Sequence, residues 1–365
     1  GARPRAGLFV FPPTFTEPSA RIGWRGMKVA QIAPPWFAVP PERYGGIEWV
    51  VALLADGLAD RGHDTTLYAS GGSITRAKLV TIFDEPPGGT HIGDAFYDVV
   101  HAGSAYRDAS SFDIIHDHSG VVGPAIGAHA GVPVVHTLHG PFTEQAKRLY
   151  TLLSGRVWYV AISEAQRAFC PDLSYAGTVH NGIDISKYPF REDKEDFLLF
   201  LGRINPEKGP EIAVEVAHRT GRKLVMAIKK AEPMEEEYWR TIVEPNLDGS
   251  EEIIGEITID EKADLLARAS AVLFPIQWPE PFGLVMTEAM ASGTPVISFA
   301  YGAAPEVIVD GKTGFLVKTI DEMCEAVERA REIKPAVARQ HVEDHFSADA
   351  MVEGYLRAFE KVLGS

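Results

Sequence analysis

The sequence predicts an α/β protein built from two parallel-sheet domains that face each other across a cleft. From Met27 onward, short apolar runs alternate with amphipathic stretches of helical period, which is typical of parallel strands covered by helices on both faces. The pattern starts again at residue 196, after the charged, proline-containing segment 186–196. At 365 residues, the chain also has the length of two ordinary domains.

Each half has its own set of predicted strands. In the first half they are 28–33, 64–69, 112–118, 133–139 and 157–163. In the second half they are 196–204, 223–228, 251–257, 271–276, 295–299 and 313–317. Clear helices are predicted over 47–62, 320–333 and 348–363.

These elements divide the chain into four segments. Residues 1–26 contain proline and glycine without a sustained period, and we interpret them as an extension outside the fold. Residues 27–190 are expected to form an N-terminal domain and residues 191–345 a C-terminal domain. Residues 346–365 form a terminal helix, for which a return to the N-terminal domain is one alternative. Because ligands of open α/β sheets bind beyond the carboxyl ends of the strands, the site is expected in the interdomain cleft.

Composition excludes several classes of function. The net charge is −15 without a dense basic run, so the charge pattern of a nucleic-acid-binding or anionic-lipid-binding protein is missing. No apolar run reaches the roughly 20 residues that span a bilayer. The two cysteines have no metal-binding or redox spacing, and the glycine signatures of dinucleotide-binding and P-loop proteins are absent. We expect a cytoplasmic protein with no nucleic-acid partner and no transmembrane segment.

Two glutamates bracket the start of a predicted helix in the segment PEPFGLVMTEAMASGTPVI (279–297). Glu280 precedes Pro-Phe-Gly, and Glu288 lies inside the helix. A helix N-terminus favours anions, whereas carboxylates accept hydrogen bonds from hydroxyl groups. One explanation is that the acids merely complement the helix dipole. The other is a ligand with both phosphates and hydroxyls, such as a nucleotide sugar.

Candidate phosphate-binding groups lie in a loop of each half. Arg203 and Lys208, in GRINPEKG, could clamp a diphosphate, although they could equally be solvated surface charges. Gly45 and Gly46 precede the first helix of the other half, where the missing Cβ atoms would let a ligand approach the backbone. A plain loop-to-helix turn is the alternative.

Histidines mark the ends of two neighbouring predicted strands of the first half: they are His116, His118, His136 and His139. We expect His116 and His136 to pack at the sheet edge, and His118 and His139 to reach the cleft and contact substrate. A metal site formed by all four is the competing hypothesis, because imidazole is a common metal ligand. Their spacing, however, matches no known zinc pattern.

The sequence resembles glycosyltransferase family 4, the retaining glycosyltransferases with the two-domain GT-B fold. The resemblance extends from about Met27 to the C-terminus. It rests on motifs in the family order: YGGIEWV, DIIHDH, VHNGID, LGRINPEKG, EPFGLVMTE with ASGTPVI, and GAAPEVIVDGKTGFLV. The family fold consists of two Rossmann-like, doubly wound parallel-sheet domains, which agrees with the strand pattern.

The resemblance implies how the second half would hold a nucleotide-diphosphate sugar. The diphosphate would be bound by the backbone amides of Phe282, Gly283 and Leu284. Glu288 would accept hydrogen bonds from the ribose hydroxyls, and Glu280 would accept them from hydroxyls of the transferred sugar.

The resemblance also implies the catalytic groups and the acceptor side. Arg203 and Lys208 would stabilise the leaving diphosphate in place of a metal ion. His118 would lie near the donor sugar and the attacking acceptor. From the residues themselves, the further acceptor-side candidates are His139 and, in the loop 34–46, Tyr44 and Trp36, whose rings could stack on a sugar.

We therefore predict a retaining, metal-independent hexosyltransferase without a cofactor. It would move a sugar from a nucleotide-diphosphate sugar to a hydroxyl group of a sugar or another small-molecule acceptor. A GT-B nucleotide-sugar epimerase or phosphorylase is one alternative, since it would keep the phosphate-binding groups. A histidine-ligated metal hydrolase is a second alternative, and a catalytically silent binding module is a third.

Overall fold

The structure, a computed structural model, describes residues 26–42, 45–230 and 232–364. Of the predicted extension 1–26, all but Gly26 lies outside the described residues. The strands of the N-terminal domain are β1 (Lys28–Ile32), β2 (Asp64–Ala69), β3 (Lys78–Thr81), β4 (Ile114–Asp117), β5 (Val134–Leu138), β6 (Trp158–Ala161) and β7 (Tyr175–Thr178). They form a parallel sheet in the order β3-β2-β1-β4-β5-β6-β7.

The C-terminal domain repeats this plan with six strands. They are β8 (Phe197–Arg203), β9 (Lys223–Lys229), β10 (Glu252–Ile254), β11 (Ala271–Phe274), β12 (Val296–Phe299) and β13 (Gly314–Val317). Their order is β10-β9-β8-β11-β12-β13, again with parallel neighbours. The strand order reverses between β1 and β4 in the first sheet and between β8 and β11 in the second. Because ligands bind where the order of such a sheet reverses, these two points locate the expected site.

Helices cover the sheets. In the N-terminal domain they are α1 (Gly46–Asp60), α2 (Ala95–Tyr106), α3 (Val122–Gly127), α4 (Glu144–Leu153) and α5 (Glu164–Arg167). The C-terminal domain has α6 (Pro210–Thr220), α7 (Pro233–Tyr238), α8 (Ile259–Arg268), α9 (Leu284–Ala291), α10 (Ala304–Val307), α11 (Ile320–Arg329) and α12 (Pro335–His345). The last helix of the described chain is α13 (Ala348–Leu363). Across the described residues, no helix has both the length and the apolar character needed to cross a membrane.

The predicted doubly wound, two-domain α/β fold is confirmed, and its strongest elements agree closely with the structure. The helix predicted over 348–363 has the bounds of α13, and every strand predicted for the second half is present. Strands β3 and β7 and helix α12 were not predicted. Strand β3 is a short edge strand with only partly buried side chains, so it lacks the apolar run of a central strand.

Helix α13 packs against the N-terminal domain although it follows the C-terminal domain in sequence. Its buried face includes Tyr355 and Phe359, which pack in one cluster with residues of α1, β1 and β7. Each such buried side chain contributes about 1.5–3 kcal/mol relative to exposure. The close approach depends on Gly57 of α1, since a Cβ atom there would lie 2.5 Å from Cγ2 of Val352. The chain therefore passes between the domains twice, once on each side of the C-terminal domain.

Candidate active site

A cavity of about 340 Å³ lies between the two domains, where both strand orders reverse. The N-terminal domain contributes Gly45, Gly46 and His139 to its lining. From the C-terminal domain the cavity is lined by Arg203, Lys208, Glu280, Phe282, Gly283, Leu284 and Glu288. Thus most sequence-predicted site residues converge on one cavity.

The start of α9 is shaped by a glycine. Gly283 precedes the helix with φ of 82°, a conformation that side-chain-bearing residues rarely adopt. A Cβ atom at this position would also lie 2.9 Å from Cε of Met286 and 3.1 Å from Cζ of Phe274. The first amides of a helix have no acceptor within the helix, and the helix dipole makes this end positive. The N-terminus of α9 therefore presents an anion-binding surface to the cavity.

The backbone of Glu280 is fixed by a neighbouring loop. Ala303 donates its amide to the carbonyl of Glu280 at 3.0 Å. Gly302, at φ of 55°, lies so close that a Cβ atom would be 2.5 Å from the Glu280 nitrogen. Only glycine permits this approach, so the loop after β12 determines the position of the first glutamate.

The side chain of Glu280 forms an ion pair with Lys208. Trp278 donates its indole N–H to the same carboxylate oxygen, Oε2, at 3.1 Å. The lysine ammonium also lies 5.8 Å from the ring centre of Phe274 and 5.7 Å from that of Trp278, within cation–π range. Lys208 and Glu280 are thus side by side at the cavity wall, one able to bind phosphate and the other hydroxyl groups.

The site of Arg203 corrects the expectation of a simple cation clamp. Arg203 lines the cavity, but its guanidinium donates from Nε to Glu235 at 2.6 Å and from Nη2 to Glu232 at 2.7 Å. Glu235 is buried. Two carboxylates therefore balance this cation, and the described residues leave Nη1 as the nitrogen without a protein acceptor. Sequence spacing could not show these partners, which lie 29 and 32 residues further along the chain.

Glu288 has two partners that the sequence analysis missed. Lys262 of α8 donates to Oε1 at 2.6 Å, and Tyr188 of the interdomain linker donates its hydroxyl to the same oxygen at 2.8 Å. The described residues give no hydrogen bond to Oε2. Burial and the adjacent carboxylate raise the pKa of Tyr188 well above its ordinary value, so its hydroxyl remains a donor. Neither partner belongs to a recognisable motif.

On the opposite wall, the histidines form a chain that leads away from the cavity. Nδ1 of His118 lies 2.8 Å from Nε2 of His139, and Nε2 of His118 lies 3.0 Å from Oε1 of Gln31. His118 is only 3% exposed, whereas His139 lines the cavity. The structure therefore places His139 at the cavity surface and His118 behind it, and it corrects the expectation that both reach the cleft.

Burial keeps this histidine chain uncharged. Burial lowers the pKa of His139 to about 3, with a smaller contribution from His136. Burial and the neighbouring His116 and His139 lower the pKa of His118 well below its ordinary value. At neutral pH, His139 is thus a neutral imidazole that can exchange a hydrogen bond but carries no positive charge.

The other two histidines lie deeper, as expected for packing residues. Nε2 of His116 lies 2.8 Å from the hydroxyl of Thr137, and Nδ1 of His136 lies 3.5 Å from Asp117. His118 contacts the rings of His116 and His139, whereas His136 packs against Tyr150 and Tyr159. The four imidazoles do not converge on one point, which disfavours the metal hydrolase alternative. Within the described ranges, the one three-residue group with metal-ligand spacing lies elsewhere, at His218, Asp248 and Glu251.

The glycine loop of the N-terminal domain contains a buried acid. Gly45 has φ of 149°, and a Cβ atom there would lie 2.7 Å from Oε2 of Glu48. Burial raises the pKa of Glu48 to about 7. Gly46 faces the other domain, because its Cβ atom would lie 3.1 Å from Cδ1 of Leu284. Glu48 was missed although it lies in the same motif, YGGIEWV, since an acid in a first helical turn is ordinary.

The remaining acceptor-side candidates are Trp36 and Tyr44. Trp36 is nearly buried and packs edge-on against Tyr97, with ring centres 6.3 Å apart, and it is not among the residues that line the cavity. The contact of Trp36 with the acceptor stays a prediction. Tyr44 lies outside the described residues.

Hydrogen bonds join the domains directly beside the cavity. Ser163 donates its hydroxyl to the carbonyl of Pro281 at 2.7 Å. Glu306 accepts the amides of Glu164 and Ala165, at 2.8 and 2.6 Å, at the start of α5. Burial alone would raise the pKa of Glu306, but His180 and these two amides lower it, so the acid stays ionised. These bonds fix the relative position of the two cavity walls.

Comparison with known proteins matches the two halves of the chain to two family profiles. Residues 44–187 match the profile described as Glycosyltransferase Family 4, and residues 183–341 match the profile described as Glycosyl transferases group 1. The chain belongs to the family 4-type glycosyltransferases of GT-B fold. The two ranges meet in the segment where the N-terminal domain ends, so this glycosyltransferase has both halves of the family architecture.

Relatives of this glycosyltransferase extend along most of its length. A glycogen synthase of Mycobacterium tuberculosis (strain CDC 1551 / Oshkosh) is 25% identical over 392 aligned residues, covering 87% of this chain and 92% of the relative. The structure of AviGT4, a glycosyltransferase involved in avilamycin A biosynthesis, is similar with a TM-score of 0.70 and 28% identity, covering 93% of this chain and 98% of that one. Anabaena HepE in complex with UDP-glucose has a TM-score of 0.71 at 19% identity, covering 92% and 99%. At that identity, the similarity to HepE concerns the fold alone.

Proposed function

We propose that this glycosyltransferase is a retaining, metal-independent hexosyltransferase that uses a nucleotide-diphosphate sugar as donor. The acceptor would be a hydroxyl group of a sugar or another small molecule. The observation that carries the proposal is the arrangement around α9, where an anion-binding helix N-terminus lies between two carboxylates and beside a lysine. A nucleotide sugar has hydroxyl groups on both sides of its diphosphate, and this order of charges matches that ligand.

The donor would lie along the C-terminal wall of the cavity. The amides at Gly283 and Leu284 would bind the diphosphate, with Lys208 donating to its oxygens from the side. Glu288 would accept a ribose hydroxyl through Oε2, the oxygen to which no described residue donates. Glu280 would accept hydroxyls of the transferred sugar through Oε1, because Lys208 and Trp278 both use Oε2.

Charge on the leaving group would be neutralised without a metal ion. As the glycosidic bond breaks, negative charge grows on the diphosphate, and groups already aimed at that charge lower the barrier. Lys208 and the amides of α9 are such groups. Arg203 would contribute through Nη1 while Glu232 and Glu235 hold the rest of its guanidinium.

His139 replaces His118 as the proposed contact to the donor sugar. Its ring lines the cavity, whereas His118 is covered and hydrogen-bonded to it. A neutral His139 would hold a sugar hydroxyl and help to place the anomeric carbon. His118, fixed by Gln31, would orient the His139 ring and select its tautomer.

Retention would follow from substitution on the face of the leaving group. Asp117, the acid beside His118, is fully buried and accepts hydrogen bonds from Tyr106 at 2.7 Å and from the amide of Ser119 at 2.7 Å. It is therefore a poor candidate for a covalent nucleophile. Instead, the acceptor oxygen would bond to the anomeric carbon as the carbon–phosphate-oxygen bond breaks. The hydroxyl proton would pass to the departing phosphate oxygen.

Two measurements test the proposal. In a thermal-shift panel of UDP, ADP and GDP, one diphosphate should stabilise the protein, by roughly 2.7 kcal/mol at 100 times its Kd. The matching nucleotide sugar is then supplied with a panel of sugar and polyol acceptors, and the product is analysed by proton NMR. Transfer with an unchanged anomeric configuration supports the proposal, and an inverted product contradicts retention. Interconversion of the donor without any acceptor would instead indicate an epimerase.

A further inference from the structure

The two glutamates of the donor site are held in the same way. In each case one carboxylate oxygen accepts a lysine ammonium and a hydrogen bond from an aromatic side chain. For Glu288 these donors are Lys262 and Tyr188, and both bond to Oε1. The other oxygen of each carboxylate receives no hydrogen bond from the described residues. The repeated pattern indicates that a fixed carboxylate orientation matters at both ends of the donor.

We infer that Lys262 and Tyr188 are positioning residues that determine how strictly the enzyme selects a ribose in its donor. The inference rests on the proposed function, because it assumes that Glu288 faces the ribose. A free carboxylate can rotate and exchange its two oxygens. With Oε1 occupied by two donors, Glu288 presents Oε2 in one orientation, and a ribose hydroxyl finds an acceptor that is already in place.

The surroundings of Tyr188 hold it firmly enough for this task. Tyr188 is buried in the hydrophobic cluster beneath α9, and its backbone carbonyl accepts Nη1 of Arg339 at 2.9 Å. Arg339 also donates to the carbonyl of Ala291, the last residue of α9, at 2.7 Å. The tyrosine is therefore fixed to the same helix that carries Glu288.

Lys262 balances the negative charge of Glu288. It extends from α8 and lines the cavity. An ionised Glu288 without this cation would add negative charge close to a bound diphosphate, which disfavours the ligand. Lys262 therefore offsets the charge of the Glu288 carboxylate, and a carboxylate is a strong acceptor for a hydroxyl group.

The test compares a nucleoside diphosphate with its 2′,3′-dideoxy counterpart, which lacks both ribose hydroxyls. The probes are UDP, ADP or GDP, whichever stabilises the wild type most, and the matching dideoxy compound. Their Kd values are measured by calorimetry for the wild type, Tyr188→Phe, Lys262→Met and Glu288→Ala. Control variants are Tyr238→Phe, which removes a tyrosine hydroxyl bonded to another acid of this domain, Glu211, and Lys223→Met, which breaks an exposed pair with Glu252.

The wild type should bind the ribose form about 10–100 times more tightly than the dideoxy form, as expected for a hydrogen bond to a charged group. Tyr188→Phe and Lys262→Met should each lower this ratio by about tenfold, Glu288→Ala should bring it near one, and the controls should leave it unchanged. A merely structural role would weaken both ligands equally and preserve the ratio, and that result overturns the inference. If the wild type binds no nucleoside diphosphate, the proposed function fails as well. If the wild type binds the ribose and dideoxy forms equally, Glu288 does not contact the ribose and the inference fails, while the proposed donor class stands.

Discussion

The two walls of the cavity differ in how they use charge. The C-terminal wall carries ionised groups near the surface, and each is paired in the structure: Lys208 with Glu280, Lys262 with Glu288, and Arg203 with two glutamates. The N-terminal wall carries imidazoles that burial keeps neutral. In the proposed mechanism, the charged wall suits the diphosphate, and the neutral wall suits the transferred sugar, whose developing positive charge a cationic histidine would repel.

The walls also differ in how their geometry is maintained. On the C-terminal wall, salt bridges hold the groups and their cations stay partly exposed, with the side chain of Lys208 at 23%. On the N-terminal wall, a hydrogen-bonded chain runs from the buried Gln31 through the buried His118 to His139, which lines the cavity. Ion pairs can exchange partners when an anion binds, whereas a buried chain of hydrogen bonds stays in place. The cavity therefore combines an adaptable wall with a rigid one.

The largest expected effect on kcat comes from replacing the histidine that lines the N-terminal wall. His139→Gln should lower kcat by about 10²-fold, with little change in KM for the donor, since loss of a catalytic side chain at the reacting sugar commonly costs that much. His118→Asn should cost about tenfold, because it acts through His139. Initial rates at saturating donor give both values.

The order of these two effects is the informative result. His129→Ala, at an exposed histidine of the same domain, is the matched control and should retain wild-type kcat. If His118→Asn were more damaging than His139→Gln, the direct contact would return to His118 and the burial argument would fail.

The sequence predicted the C-terminal wall better than the N-terminal wall, for physical reasons. Glu280, the glycine at 283 and Glu288 lie within nine residues of chain, so local spacing and helix-end chemistry are enough to relate them. The ion-pair partners of Arg203 come from a distant segment with ordinary acidic composition, and their identity depends on how β8 and β9 are aligned. Local sequence carries no record of such contacts.

The histidines show a different limit of sequence reasoning. Alternation along a strand places residues two apart on one face, but it does not tell how deeply each of them is buried. It could not show that His118 is buried behind His139, which lines the cavity. Trp36 was named as an acceptor-side candidate, and its packing against Tyr97 is a tertiary contact that the local sequence does not show.

A pH series tests the two opposite pKa shifts, that of His139 and that of Glu48. The folded pKa of His139, about 3, lies below the unfolded value of 6.5, so the unfolded state binds more protons between these values. His139 therefore lowers stability as pH falls below about 6.5. The folded pKa of Glu48, about 7, lies above the unfolded value of 4.5, so its burial lowers stability as pH rises through that window.

Urea unfolding at pH 5, 6.5 and 8 measures both effects. Relative to the wild type, His139→Gln should gain about 1 kcal/mol between pH 6.5 and pH 5, and Glu48→Gln should gain about 1–2 kcal/mol between pH 5 and pH 8. The signs are opposite along the pH axis. Parallel pH profiles for the wild type and both variants would show that neither group is buried in the stated protonation state.

Donor turnover in excess EDTA tests directly whether the leaving diphosphate is stabilised without a metal ion. In the proposed mechanism, Lys208, Arg203 and the amides of α9 neutralise the charge and the histidines make neutral contacts, so neither wall would require a metal ion. Rates of nucleoside diphosphate release, measured with the natural donor before and after chelation, should agree within error. Activity abolished by EDTA and restored by zinc or manganese would contradict the account, and it would return the histidines to the role of metal ligands.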